Sequence, residues 1–171
     1  RYRLKIGVLE KNLDVCNETS GRNSGVVHGG FAYDRGSLKA KLCVEGNKMM
    51  GDLAKELDFH FIRCGKVLVG NTEEDMETLK RTMEQGKDNG ATNLELIDEK
   101  RLHELVPAVV GKFAMFSHNS GIVDPFGYTI ALAENAHANG VEYHFGCEVT
   151  AIRREDDDTY EITTTKGNFK T

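Results

Sequence analysis

Along these 171 residues the apolar positions keep two rhythms, and the switches between them mark the elements. Ile6-Gly7-Val8-Leu9 is a short apolar run closed by Glu10. That is the form of a buried parallel strand, with residues 1–5 reading as the tail of a preceding helix. From Ser37, a good N-cap, Leu38, Leu42, Val44, Met49, Leu53 and Leu57 keep a nearly helical spacing to about Asp58. The segment Phe59 to Gly70, interrupted at Gly65, predicts two strands or one bent strand. Thr72 caps a polar helix with Glu73, Glu74 and Asp75 at its positive end, and Asn89-Gly90 stops it. A strand over Leu94 to Ile97, a brief helix from Asp98 to Leu105 ended by Pro107, and a strand over Phe113 to Ser117 follow. Asp124-Pro125 opens a helix that runs to Asn139-Gly140. The alternation of Val141–Phe145, Glu148–Arg153 and Tyr160–Thr165 then predicts a strand and a hairpin, with the acidic run Glu155–Asp158 as its solvated turn.

This order of strands and helices makes the chain α/β, with α+β character in its middle. The composition is that of an ordinary soluble protein, 39% hydrophobic and 29% charged, and long enough for one good core or two small ones. Twenty-two basic against 27 acidic residues give a net charge of −5 with no basic stripe, which argues against nucleic acid as a partner. Cys16, Cys43, Cys64 and Cys147 are scattered, with no C-x-x-C pair and no histidine at a zinc-ligand spacing, so no metal is expected. Nothing resembles a signal peptide, so the expected location is a reducing cytoplasm. A peripheral membrane contact through parts outside these residues stays open.

The chemistry concentrates in Thr19-Ser20-Gly21-Arg22-Asn23-Ser24-Gly25-Val26-Val27-His28-Gly29-Gly30. Its glycines free backbone N–H groups to approach a pyrophosphate or a flavin edge, although the same residue types make a mobile surface loop. The apolar Val26-Val27 favours burial, where the backbone needs a partner. His28 is a candidate general base or a hydrogen-bonding post, and Arg22 and Lys39 are candidates to meet an anion. Glu10 ends its strand as a ribose-binding acid does, or as a plain solvated carboxylate. Such an acid follows a Gly-rich phosphate loop by about 20 residues, more than precede Glu10 here. The chain therefore reads as an internal piece of a larger dinucleotide-binding enzyme. On its own it is expected to hold its cofactor weakly and to self-associate through an unpaired sheet edge.

Glu10-Lys11, the Thr19–Gly30 stretch, Ser37-Leu38-Lys39-Ala40-Lys41-Leu42-Cys43, Cys64–Val69 and Gly121-Ile122-Val123-Asp124 together resemble the FAD-dependent oxidoreductases of the D-amino-acid-oxidase superfamily. The resemblance implies a partial Rossmann-like FAD-binding domain, residues 1–56 and 123–171, with a mixed-sheet substrate domain inserted at 57–122. It implies that Glu10, with Lys11, binds the adenosine ribose. Ser20, Arg22, Asn23, Ser24 and Gly25 would then lie along the pyrophosphate and flavin, and the backbone of Val149 would meet the adenine. His28 would approach the isoalloxazine and substrate, and Arg22 and Lys39 the substrate anion. The implied reaction is hydride transfer from a small anionic secondary alcohol to FAD, followed by electron transfer to an acceptor that the sequence does not identify. Arg22 leans toward glycerol 3-phosphate, oxidised to dihydroxyacetone phosphate, as the expected substrate, whereas the Ser37–Cys43 segment leans toward the alternative, L-2-hydroxyglutarate. A reading of another class, a binding module with no catalysis of its own, stays open for these residues in isolation.

Overall fold

The computed structural model describes residues 4–171, and the chain divides into two compact units. One combines the residues up to Asn23 with Pro125–Thr171, and the other is Ser24–Asp124. The expected insertion at 57–122 lies inside the second unit, which also takes in the Gly-rich residues from Ser24 and the long helix after them.

The second unit opens with β2 (Val26–Val27), the first unit having contributed β1 (Gly7–Leu9). Next comes α1 (Leu38–Leu57), where the Ser37 side chain accepts from the Ala40 N–H and Asp58 closes the helix in the left-handed conformation. Strands β3 (Phe61–Ile62) and β4 (Lys66–Gly70) flank the turn at Gly65. Helix α2 (Glu73–Asp88) starts with a full capping box, Thr72 and Asp75 each accepting from the other's backbone N–H. β5 (Leu94–Asp98), α3 (Glu99–Leu105), β6 (Phe113–Ser117) and β7 (Gly121–Val123) complete the unit. The spans of all of these follow the sequence pattern closely except β2 and β7, which the pattern does not announce. In α1, however, Leu38, Leu42 and Met49 of the expected apolar stripe are exposed, and the buried stripe is Ala40, Val44, Asn47 and Ala54.

Burial in this unit follows from the alternation of β6, the central strand of the antiparallel sheet β4-β6-β5. Leu68, Met115 and Leu96 stand in register on one face and pack with Phe31, Val44 and Leu79, so α1 and α2 cover that side. Ala114 and Phe116 point the other way, where Ile97, Val67 and Leu102 of α3 gather. Two small cores on opposite faces of one sheet hold the unit together.

The first unit is built differently. β1 pairs in parallel with β8 (Glu142–His144), and α4 (Pro125–Ala138) connects back into that sheet. β9 (Val149–Arg154), β10 (Tyr160–Thr164) and β11 (Gly167–Lys170) form an antiparallel sheet in the order β11-β10-β9, with β11 an addition to the expected hairpin. The expected helix tail over residues 1–5 lies partly outside the described residues, and Leu4 and Lys5 are not helical. β1 is parallel, as its apolar run implies, but it is not buried. Ile6 is 49% and Val8 36% exposed, because the sheet is only two strands wide. α4 likewise buries no residue fully.

The contrast sets an expectation for stability. Met115→Ala should cost about 2–5 kcal/mol by cavity formation, whereas Ile152→Ala, on the open face of β9, should stay within about 0.5 kcal/mol. Denaturant unfolding of the two variants measures both.

Candidate functional site

In the first unit, strand pairing continues past Leu9. The Glu10 N–H donates to the carbonyl of His144 at 3.1 Å, and the Glu10 carbonyl accepts from the Cys147 N–H at 2.8 Å. The Glu10 carboxylate accepts from the Asn12 N–H at 2.7 Å through Oε1, and Oε2 has no hydrogen-bond partner among the described residues. Cys147 is buried against the hydroxyl of Thr164, and Thr164 stands in register with Val149. Glu10 and the start of β9 are thereby brought to the same end of the unit. Lys11 forms an exposed ion pair with Glu18 at 3.2 Å, which raises the Lys11 pKa and lowers that of Glu18. Thr19–Gly21 is a 3-10 turn rather than open loop. The Asn23 amide donates to the carbonyls of Thr19 and Ser20 at 3.1 and 2.8 Å, while Arg22 donates to the Asn17 carbonyl at 3.2 Å. Ser20 and Arg22 are exposed. A groove of about 520 Å³ lined by Val15, Ile130, Ala133, His137, Tyr143 and Phe145 contains none of the expected site residues.

The second unit holds Ser24, Gly25, His28 and Lys39. Ser24 is exposed, and Gly25 is buried, its carbonyl accepting from the Val123 N–H at 2.8 Å. Val26 and Val27 pair with Ile122 and Gly121, so the middle of the Gly-rich stretch is an edge strand on β7. Gly30, at φ +79°, leaves no room for a side chain: a Cβ there would fall 2.4 Å from Cγ2 of Val44. The loop backbone therefore lies directly on α1.

Between these contacts the His28 side chain reaches solvent, with its ring 6.3 Å from that of Tyr33 in an edge-on arrangement. The Lys39 ammonium sits over the Tyr33 ring at 4.5 Å. Partial burial, then the charges of Lys66 and Lys39, hold the His28 pKa below its usual value, which favours the uncharged imidazole. The arrangement is a neutral base within the field of two ammonium groups, suited to taking a proton from an anionic ligand.

Tyr33 and Lys66 are additions to the expected residues. Nothing in the spacing marks Lys66, which is separated from His28 by the whole of α1 and β3 in sequence. Among the described residues no three His, Cys, Asp or Glu side chains cluster to hold a metal, and no helix is long and apolar enough to cross a membrane.

Residues 1–171 match the family model described as FAD dependent oxidoreductase, and the chain belongs to that family, with FAD as its cofactor. It is 36% identical over 173 residues to a glycerol 3-phosphate dehydrogenase of Caloramator mitchellensis, covering 100% of this chain and 36% of that protein. It is also 36% identical over 151 residues to a mitochondrial L-2-hydroxyglutarate dehydrogenase of Nematostella vectensis, covering 88% of this chain and 33% of the relative. The chain thus spans about a third of the length of these curated relatives. Among solved structures, an FAD-bound L-alpha-glycerophosphate oxidase from Mycoplasma pneumoniae superposes with a TM-score of 0.87 at 27% identity, over 96% of this chain and 44% of that one.

The residues present fit the adenosine end of that cofactor: Glu10 closes a parallel strand with a carboxylate oxygen that has no hydrogen-bond partner among the described residues, and a ribose hydroxyl could donate to it. The field at His28 yields a separate expectation. Lys66→Met should raise the imidazole pKa, moving the His28 ring resonances to a higher midpoint in an NMR titration. An unmoved midpoint would show that Lys66 does not act on the ring.

Proposed function

We propose that the protein oxidises a small anionic secondary alcohol, most specifically glycerol 3-phosphate to dihydroxyacetone phosphate. The observation that carries this reading is the solvent-reaching His28 imidazole edge-on to Tyr33, with the Lys39 ammonium over that same ring and the positive charge of Lys66 also acting on the imidazole. In the proposed reaction the imidazole accepts the hydroxyl proton while the carbinol C–H leaves as hydride, and the product is a ketone. Bound FAD supplies the hydride acceptor. Lys39, its ammonium held over the Tyr33 ring, and Lys66 would attract the substrate's anion, with Arg22 as a further candidate. Glu10, Ser20, Asn23, Ser24, Gly25 and the backbone of Val149 would hold the cofactor, with Lys11 beside Glu10. The electrons then pass to an acceptor outside these residues. The proposal includes a reducing, cytoplasmic compartment, which the four unpaired thiols favour.

The similarity of the whole chain to a glycerol 3-phosphate dehydrogenase supports the choice of substrate. A second reading, oxidation of L-2-hydroxyglutarate, is favoured by several L-2-hydroxyglutarate dehydrogenases with comparable identity. Anaerobic reduction of the flavin in the full-length protein discriminates the two. Glycerol 3-phosphate should bleach the flavin, and His28→Asn should slow that step by about 10²–10⁴-fold. Bleaching by L-2-hydroxyglutarate alone selects the second reading, and bleaching by neither removes both.

A further inference from the structure

Helix α1 buries Ala40, Val44, Asn47 and Ala54 on one stripe, and the amide in that set is only 5% exposed. A leucine would serve the packing there, so the polar group needs another reason. Both of its amide hydrogens and its amide oxygen are engaged. Asn47 Nδ2 donates to the His28 carbonyl at 3.0 Å and to the Asn119 carbonyl at 2.9 Å, while Oδ1 accepts from Arg63 Nη1 at 3.1 Å. Only one amide orientation works, since the reverse would set its oxygen against two carbonyl oxygens.

Arg63 extends the arrangement. Its Nη1 also donates to the Asn119 carbonyl at 2.7 Å and its Nη2 to the Asn47 carbonyl at 3.2 Å, with the guanidinium 5.3 Å above the Phe61 ring. Asn119 is itself anchored, its amide donating to the carbonyl and hydroxyl of Thr92 at 3.2 and 2.9 Å. Four separate segments meet at this point: the Gly-rich loop, α1, the turn between β3 and β4, and the turn between β6 and β7. The loop's share of the junction is one atom, the carbonyl oxygen of His28, which also receives the Cys43 thiol at 3.3 Å.

We infer that Asn47 and Arg63 are positioning residues that orient His28 by fixing its peptide plane. The inference rests on the proposed role of His28 as the proton acceptor. A peptide plane held at its oxygen limits the swing of the attached side chain. The neighbouring glycines, Gly29 and Gly30, offer no side chain that would limit it otherwise. Asn47 acts on His28 through its backbone carbonyl, and Arg63 acts through Asn47.

Asn47→Leu in the full-length protein separates positioning from packing. Each affected carbonyl keeps one donor, Cys43 for His28 and Arg63 for Asn119, so the fold and flavin content should persist. The limiting rate of flavin reduction should fall about 10- to 100-fold with KM within about threefold, since a base displaced by an ångström loses rate rather than affinity. Arg63→Lys, which keeps the charge but not the fork, should show the same split to a smaller degree. A second readout is independent of the substrate: the His28 ring resonance, sharp in the wild type, should broaden or divide in both variants. A wild-type rate and an unchanged line in both variants would overturn the inference. If wild-type flavin is reduced by neither alcohol, the proposed activity falls, and the resonance alone decides whether Asn47 and Arg63 hold the loop.

Discussion

A buried backbone must find partners for its N–H and C=O groups, and the Gly-rich stretch meets that requirement without regular structure of useful length. Its middle pairs with β7, the Gly25 carbonyl accepts from Val123, and the His28 carbonyl accepts from two side chains of α1. β7 in turn pairs on its other side with β3. Through these contacts a chain segment rich in glycine holds one conformation, and the histidine it carries has a defined setting. Everything the second unit offers as chemistry depends on that arrangement.

The two units answer the hydrophobic demand in different ways. Ser24–Asp124 covers both faces of its sheet with helices, so a strand such as β6 alternates between two cores. The other unit keeps strand pairing but leaves apolar side chains open, among them Ile6, Val8, Phe126, Ile130 and Ile152. Its hydrogen bonds are made while much of its apolar surface still meets water, a state that contributes less stabilisation per residue than the sheet of the second unit.

Long periodic elements were legible in the sequence because their signals are local. Ser37 and Asp58 bound α1, the Thr72 capping box starts α2, and the apolar runs of β4, β5 and β6 appear where the pattern puts them. β2 and β7 were not, since two or three residues carry no period and their pairing is set by a partner about 95 residues away. Burial of β1 was over-read for a related reason: an apolar run states what a strand prefers, not what is present to cover it. Of the site, His28 and Lys39 stood out by residue type, whereas Lys66 and Arg63 reach the same region through the fold alone. Asn47 was not legible, because the buried stripe of α1 runs through Ala40, Val44, Asn47 and Ala54 while the larger apolar residues Leu38, Leu42 and Met49 face outward.

Lys39, Cys43 and Asn47 are spaced four apart along α1 and meet, in order, the Tyr33 ring, the His28 carbonyl and the His28 carbonyl again. The helix therefore acts as a ruler for the loop, with one graduation per turn. Because each residue advances the helix by about 100°, the loss or gain of a single residue between Ser37 and Asn47 would rotate part of this set away from the loop. Substitution within that span changes one mark, while a change of length changes the scale.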